Sequence, residues 1–246
     1  LDLPVSKHSN SHTQPPRTNM PSIRNLPGIR NLPGVREQSL LQTFKRLYPQ
    51  PRSELAFSSP FELLIAVLLS AQCTDKKVNQ ITPTLFLRYP TAKQLAAAKI
   101  AELEQILRPI NYYRTKARNV LGLAQRLEQE FEGQVPHSRA ALLSLPGVGN
   151  KTANVVLGEL QVEPTLPVDT HVFRVAKRLG LSQAGKVEGV EQDLKTLFNP
   201  RDWHSLHHWL IFHGRRVCKA RAPLCAACAL AQDCPSRSAI PSAGKD

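Results

Sequence analysis

From position 37 onward, apolar residues return at helical intervals. Leu40, Leu41, Phe44 and Leu47 fall at i, i+1, i+4 and i+7, one buried face on an otherwise polar helix. The stretch SPFELLIAVLLSAQ opens on a helix-start signature: Ser59 suits the N-cap, Pro60 the first turn, and Glu62 stands three beyond the cap. Its body is apolar on every side, which predicts a helix running through the core. Leu103, Ile106 and Leu107 form a further stripe, as do Ala117, Val120, Leu121, Ala124, Leu127 and Phe131. No segment alternates in the manner of a hairpin strand for more than a few residues. The pattern predicts an all-α chain.

Residues 1–36 depart from this pattern. They hold six prolines, a single acidic residue (Asp2) and a tandem IRNLPG at 23–28 and 29–34. Proline at that density breaks helices, and two copies are too few to stack as a solenoid. The segment reads as a disordered or polyproline-like arm, made basic by Lys7, Arg17, Arg24, Arg30 and Arg36. Its serines and its shortage of acid also suit an organelle transit peptide. Residues 235–246 read as a C-terminal tail.

The 246 residues are enough for one large domain or two smaller ones. Lys and Arg total 32 against 19 Asp and Glu, a formal charge of +13 that points to a polyanionic partner. The longest unbroken apolar run, Leu63 to Leu69, is far short of the roughly 20 residues a membrane span needs. The first residues also lack the apolar segment of a secretory leader. No membrane association is expected.

LPGVGNKTANVV, residues 145 to 156, sets glycines just ahead of a lysine and a threonine. A phosphate-binding loop of a nucleotide hydrolase would need glycine directly before the lysine and a strand upstream. Here Asn150 precedes Lys151, and Leu142 to Leu145 continue a helical stretch. What remains is helix, tight turn, helix, over 139–158. Glycines let the backbone approach a ligand closely, so N–H groups at Gly147, Val148, Gly149 and Thr152 can face a phosphate oxygen, with the helix dipole favouring the anion. Such a site grips DNA by its backbone and reads no sequence. A plain turn between helices, needing glycine only for its shape, is the simpler alternative.

Lys151 adds chemistry. A lysine at the amino end of a helix faces partial charge of its own sign, and burial disfavours its ammonium form further. Both effects free an amine for attack on carbon. Asp169 follows in VDTHVFRVAKRLGL, where it leads into another helix as a cap or as a catalytic carboxylate. Near the C-terminus, CKARAPLCAACALAQDC spaces Cys218, Cys225, Cys228 and Cys234 by six, two and five residues. Four thiols so crowded point to a metal site, zinc or iron–sulfur. Arg215, Arg216, Lys219 and Arg221 beside them look like phosphate contacts. Cys73 stands apart as a lone buried thiol.

LPGVGNKTANVVLGEL with VDTHVFRV resembles the catalytic segment of the endonuclease III family of DNA glycosylases. The likeness extends upstream through PFELLIAVLLSAQCTDKKVN and downstream through HHWLIFHGRRVC to the last cysteine. It implies two helical domains with the active site in the cleft between them. One is a six-helix barrel over 53–163 that carries the helix-hairpin-helix. The other, 37–52 with 164–234, carries a [4Fe–4S] cluster on the four cysteines. Lys151 would be the Schiff-base nucleophile and Asp169 its partner. Gln72 and Tyr112 would fill the gap left by an extruded nucleotide, and His171 would line the pocket. The implied activity is removal of oxidised pyrimidines from duplex DNA followed by β-elimination at the abasic site, performed by a monomer in the bacterial nucleoid. A mismatch-specific thymine or adenine glycosylase of the same fold, and a non-catalytic DNA-binding module, are the alternatives. Asn111, Tyr112, Leu143 and Asn150 depart from the family's usual residues and bear on substrate range.

Overall fold

The computed structural model describes residues 34–237, and these contain helices, short 3₁₀ turns and no strand. The expected arm at 1–33 and the last residues of the tail, 238–246, lie outside them. The first helix, α1 (Val35–Leu47), starts earlier than the apolar stripe suggested. Gly34 takes a left-handed φ of 83° that turns the chain into it, and Glu37 accepts a hydrogen bond from the Gly34 amide. Arg36, expected in the arm, lies inside this helix.

The buried apolar residues form two clusters. The first is enclosed by α2 (Pro60–Ser70), α3 (Asp75–Arg88), α4 (Ala92–Ala96), α5 (Ile100–Leu107), α6 (Tyr113–Phe131), α7 (Arg139–Ser144) and α8 (Asn150–Glu159). Six of these have six or more residues; α4 has five. As its composition predicts, α2 runs through the middle, with every residue from Leu63 to Leu69 buried. Ser59 caps it by accepting from the Glu62 amide at 3.2 Å, while Glu62 reaches back to the Ser58 amide, one residue before the cap itself.

The second cluster joins α1 to α9 (Thr170–Arg178), α10 (Val187–Leu197) and α11 (Trp203–Arg216). Phe44 of α1 stacks on Trp209 of α11 with ring centroids 6.1 Å apart, and the Trp209 indole donates to the Tyr48 carbonyl at 2.9 Å. Residues distant in sequence therefore close one core. The chain passes from the first cluster to the second between α8 and α9, the two helices that begin beside Lys151 and Asp169.

Candidate active site

The hairpin is built on two glycines with different tasks. Gly147 has φ +78°, and a Cβ there would lie 2.8 Å from the Asn119 side-chain nitrogen, so both conformation and space demand glycine. Gly149 is the N-cap of α8 and brings no capping side chain. The amides of Asn150, Lys151 and Thr152 therefore have no partner within the helix. Nothing lies within 4 Å of the Cβ position of Gly149, so the backbone is open to an approaching anion. Val148 differs from expectation. Its side chain is buried and its N–H donates to the Leu145 carbonyl at 3.1 Å, which removes it from the set of free donors.

Lys151 and Thr152 line a cavity of about 120 Å³ together with Asp169, His207 and His208. The first two come from α8, Asp169 from the start of α9, and the histidines from α11; Val67 and Ser70 of α2 close the other wall. Asp169 is also an N-cap: its Oδ1 accepts from the His171 and Val172 amides, each at 2.8 Å. The cap reading is thus observed, and the same side chain lines the cavity. Lys151 itself is exposed at the cavity mouth. The burial expected of Lys151 is absent, although Ala153 two residues on is fully buried in the first core.

His207 and His208 carried no assigned role in the sequence. Their signal was a polar pair within the apolar run of HHWLIF. His207 is 5% exposed and shares a 2.7 Å hydrogen bond with the Pro167 carbonyl. Burial first, then the neighbouring His208 and Lys151, hold its pKa well below the ordinary imidazole range. It is therefore a neutral wall of the cavity.

Gln72 and Tyr112 sit on separate loops that the structure joins. Both hold left-handed backbones, with φ of 52° and 56°, uncommon for residues with side chains. Asn111, one of the departures from the family pattern, donates to the Gln72 carbonyl at 3.0 Å and ties the two loops together. Tyr112 is 66% exposed, a large aromatic ring in water. Behind them the buried Lys116 donates to the Leu69 carbonyl at 2.8 Å and so closes the end of α2 ahead of Gln72. Burial lowers the Lys116 pKa.

The remaining candidates divide. His171 does not reach the Lys151 cavity; it lines a neighbouring groove of about 880 Å³ with Arg174, Lys76 and Lys219. Burial outweighs the nearby Asp169 and lowers the His171 pKa. Arg215 and Arg216 differ from the expected phosphate contacts: both are paired with carboxylates. Arg215 bonds Glu54 and Asp75, and Arg216 bonds Glu54 at 2.8 Å. Lys219 and Arg221 are exposed on the loop that follows α11. Arg178 fixes that loop through the Lys219 and Ala220 carbonyls, at 2.7 and 3.0 Å.

Cys218, Cys225, Cys228 and Cys234 all line one small cavity beside His213 and Arg178. Among the described residues the group that could hold a single metal ion is Glu159, His204 and His208, and the four thiols are not part of it. A single zinc draws thiolates to about 2.3 Å from one centre, whereas a cluster of several irons needs them spread around its corners. Burial first, then the other thiols, raises the pKa of Cys228 and of Cys234. A set of thiolates here thus needs a cationic centre among them. Cys73 is partly buried against the first core and lines the 880 Å³ groove, apart from these four.

Two helical cores meeting at a cleft, with a glycine hairpin presenting a lysine at its mouth, define a helix-hairpin-helix protein. Residues 65–200 match the profile described as HhH-GPD superfamily base excision DNA repair protein. The endonuclease III of a Synechocystis strain is 44% identical over 201 residues, covering 81% of this chain and 92% of the relative. That of Escherichia coli K12 is 43% identical over 204 residues, 82% of this chain and 95% of the relative. A solved structure of a trapped endonuclease III–DNA covalent intermediate superposes with a TM-score of 0.79 at 42% identity, covering 85% of this chain and 98% of that one. A thermostable thymine-DNA glycosylase, 21% identical with a TM-score of 0.72, shares the fold. The chain belongs to the endonuclease III family of the HhH-GPD superfamily.

Proposed function

We propose that this chain is a bifunctional DNA glycosylase that removes oxidised pyrimidines from duplex DNA and then cleaves the abasic strand. The observation that carries the reading is that Lys151 and Asp169, from two different helices, line one cavity beside the exposed amides of the hairpin. The resemblance to a trapped covalent protein–DNA intermediate supports it; a monomer acting in a bacterial nucleoid is part of the same proposal.

The residues divide the work. The open amides at the start of α8, with Lys219 and Arg221, take the DNA backbone. Gln72 and Tyr112, held by Asn111, occupy the space of an extruded nucleotide. Lys151 Nζ, as its free base, attacks the sugar C1′; the bond from C1′ to the base breaks and the base leaves with the bonding electrons. The Asp169 carboxylate stabilises positive charge developing on the sugar. Transfer of one proton from that nitrogen to the ring oxygen breaks the C1′–O4′ bond and opens the sugar, and the nitrogen lone pair forms a protonated imine between Lys151 and C1′. Removal of a C2′ proton then expels the 3′ phosphate, and water releases Lys151 from the product. Cys218, Cys225, Cys228 and Cys234 are the donor set for a [4Fe–4S] cluster, whose part when bound is to hold the loop of Lys219 and Arg221 in shape.

Borohydride reduction on abasic duplex DNA tests this. The wild type is expected to give a covalent adduct and Lys151→Gln none, while duplex affinity changes by less than about threefold, since one phosphate contact is a small part of backbone binding. Trapping by the Gln variant would assign the nucleophile elsewhere.

A further inference from the structure

One cluster of ligand-type side chains takes no part in that reaction. His204 and His208 stand one turn apart on α11, and Glu159 ends α8; their ligand atoms all lie within 4.8 Å of one another. The i, i+4 spacing puts both imidazoles on one face of the helix. Both Nε2 atoms are aimed at the same oxygen, Glu159 Oε1, from 2.6 Å for His208 and 3.5 Å for His204.

Hydrogen bonding leaves this arrangement incomplete. The side chains of His208 and Glu159 are only 6% and 7% exposed, and they satisfy one another. His204 Nε2 is shut off from water and makes no hydrogen bond, its approach to Glu159 falling outside bonding geometry. A buried polar atom without a partner calls for a missing ligand or ion. The rest of the His204 side chain is 32% exposed, so an ion has a way in.

We propose that Glu159, His204 and His208 form a site for a divalent transition-metal cation of the zinc class, with its fourth position open to water. Two imidazoles and a carboxylate are a donor set zinc accepts in three-ligand sites, and imidazole favours zinc over magnesium or calcium. Bonds of about 2.0–2.1 Å in a tetrahedral arrangement place neighbouring donors roughly 3.4 Å apart, within the range these atoms already span. The ion joins the end of α8, the helix that begins beside Lys151, to α11 of the second core. It works as a cross-brace behind the cavity that His208 also lines. It shares no ligand with the four cysteines.

The purified full-length chain, equilibrated with zinc and desalted, is the sample for X-ray absorption at the zinc edge together with elemental analysis. One zinc per chain is expected, with a nitrogen and oxygen shell near about 2.0 Å and imidazole scattering. His204→Ala and Glu159→Gln are each expected to lower zinc affinity at least tenfold and to abolish the zinc-dependent rise in thermal unfolding temperature. A shell of sulfur at about 2.3 Å would place zinc on the cysteines and overturn the proposal. So would unchanged uptake by His204→Ala, or no uptake by the wild type. The wild-type spectrum decides the matter even if a variant folds poorly.

Discussion

Arg215 Nη1 lies 2.7 Å from Asp75 Oδ2, joining the last turn of α11 to the first turn of α3 across the boundary between the two cores. The same nitrogen bonds Glu54, and all three residues border both the Lys151 cavity and the 880 Å³ groove beside it. The guanidinium is thus a tie between cores at the wall separating two cavities. Asp75 first among the pairing groups, then Glu54, raises the Arg215 pKa despite the opposing cost of burial. Arg215→Ala is expected to lower stability by about 1 kcal/mol, a modest figure because the pair is partly solvated. Arg215→Lys recovers part of this at most, since one ammonium cannot span both carboxylates as the planar fork does. Urea unfolding of the three proteins checks the order; equal stabilities would mean that the tie holds nothing.

Asp169 serves as cap and as carboxylate, and two substitutions separate those roles. Asn is as good an N-cap as Asp, so Asp169→Asn is expected to leave the unfolding midpoint within a few tenths of a kcal/mol while slowing base release by about 10²–10⁴-fold. Asp169→Ala is expected to lose activity and also about 1 kcal/mol of stability. Full activity in the Asn variant would reduce Asp169 to a cap.

The two hairpin glycines give opposite expectations. Gly147→Ala forces a side chain into a left-handed backbone and against Asn119, so a loss of at least about 1–2 kcal/mol is expected. Gly149→Ala meets open space at φ −100°, so the fold is expected to stand unchanged. Its added methyl would instead occupy the face that an incoming phosphate needs, and duplex binding is expected to weaken severalfold. Thermal unfolding and a duplex-binding titration on both variants separate the cases. Identical behaviour would mean that the hairpin is only a turn.

Much of this architecture was legible along the chain because it depends on near neighbours. Ser59 before Pro60, the apolar body of α2 and the LPGVG turn act within a few residues of themselves. The pairing of Arg215 with Asp75 and of Arg216 with Glu54 spans 140 and 162 residues, and no local pattern distinguishes such an arginine from one that awaits a phosphate. Val148 shows the same limit at short range: the LPGVG motif gave no sign that its amide is spent on Leu145. Asn111 was visible only as a departure, because its partner is a backbone carbonyl 39 residues away. The exposure of Lys151 depends on what does not pack over α8, which no stretch of sequence records.

Buried neutral imidazoles make stability depend on pH. His207 is held low by burial and by its neighbours, and burial pushes the His213 pKa down to about 4. In the unfolded chain both regain the ordinary value of about 6.5. Below that value the unfolded state takes up protons that the folded state refuses, so stability falls with falling pH from about 6.5 toward 4, by up to about 1.4 kcal/mol per pH unit for each histidine. Glu159 acts in a separate window. Burial would raise its pKa, but the two imidazoles beside it, His204 and His208, hold it at about 2, so its contribution is lost only below the ordinary 4.5. His207→Asn, which keeps a donor near the Pro167 carbonyl and does not titrate, is expected to flatten the dependence between pH 6.5 and 4.5 by about one proton's worth. Urea unfolding across that range measures it. An unchanged slope would mean that His207 is already protonated in the folded protein, which its buried contact with His208 and its place beside Lys151 oppose.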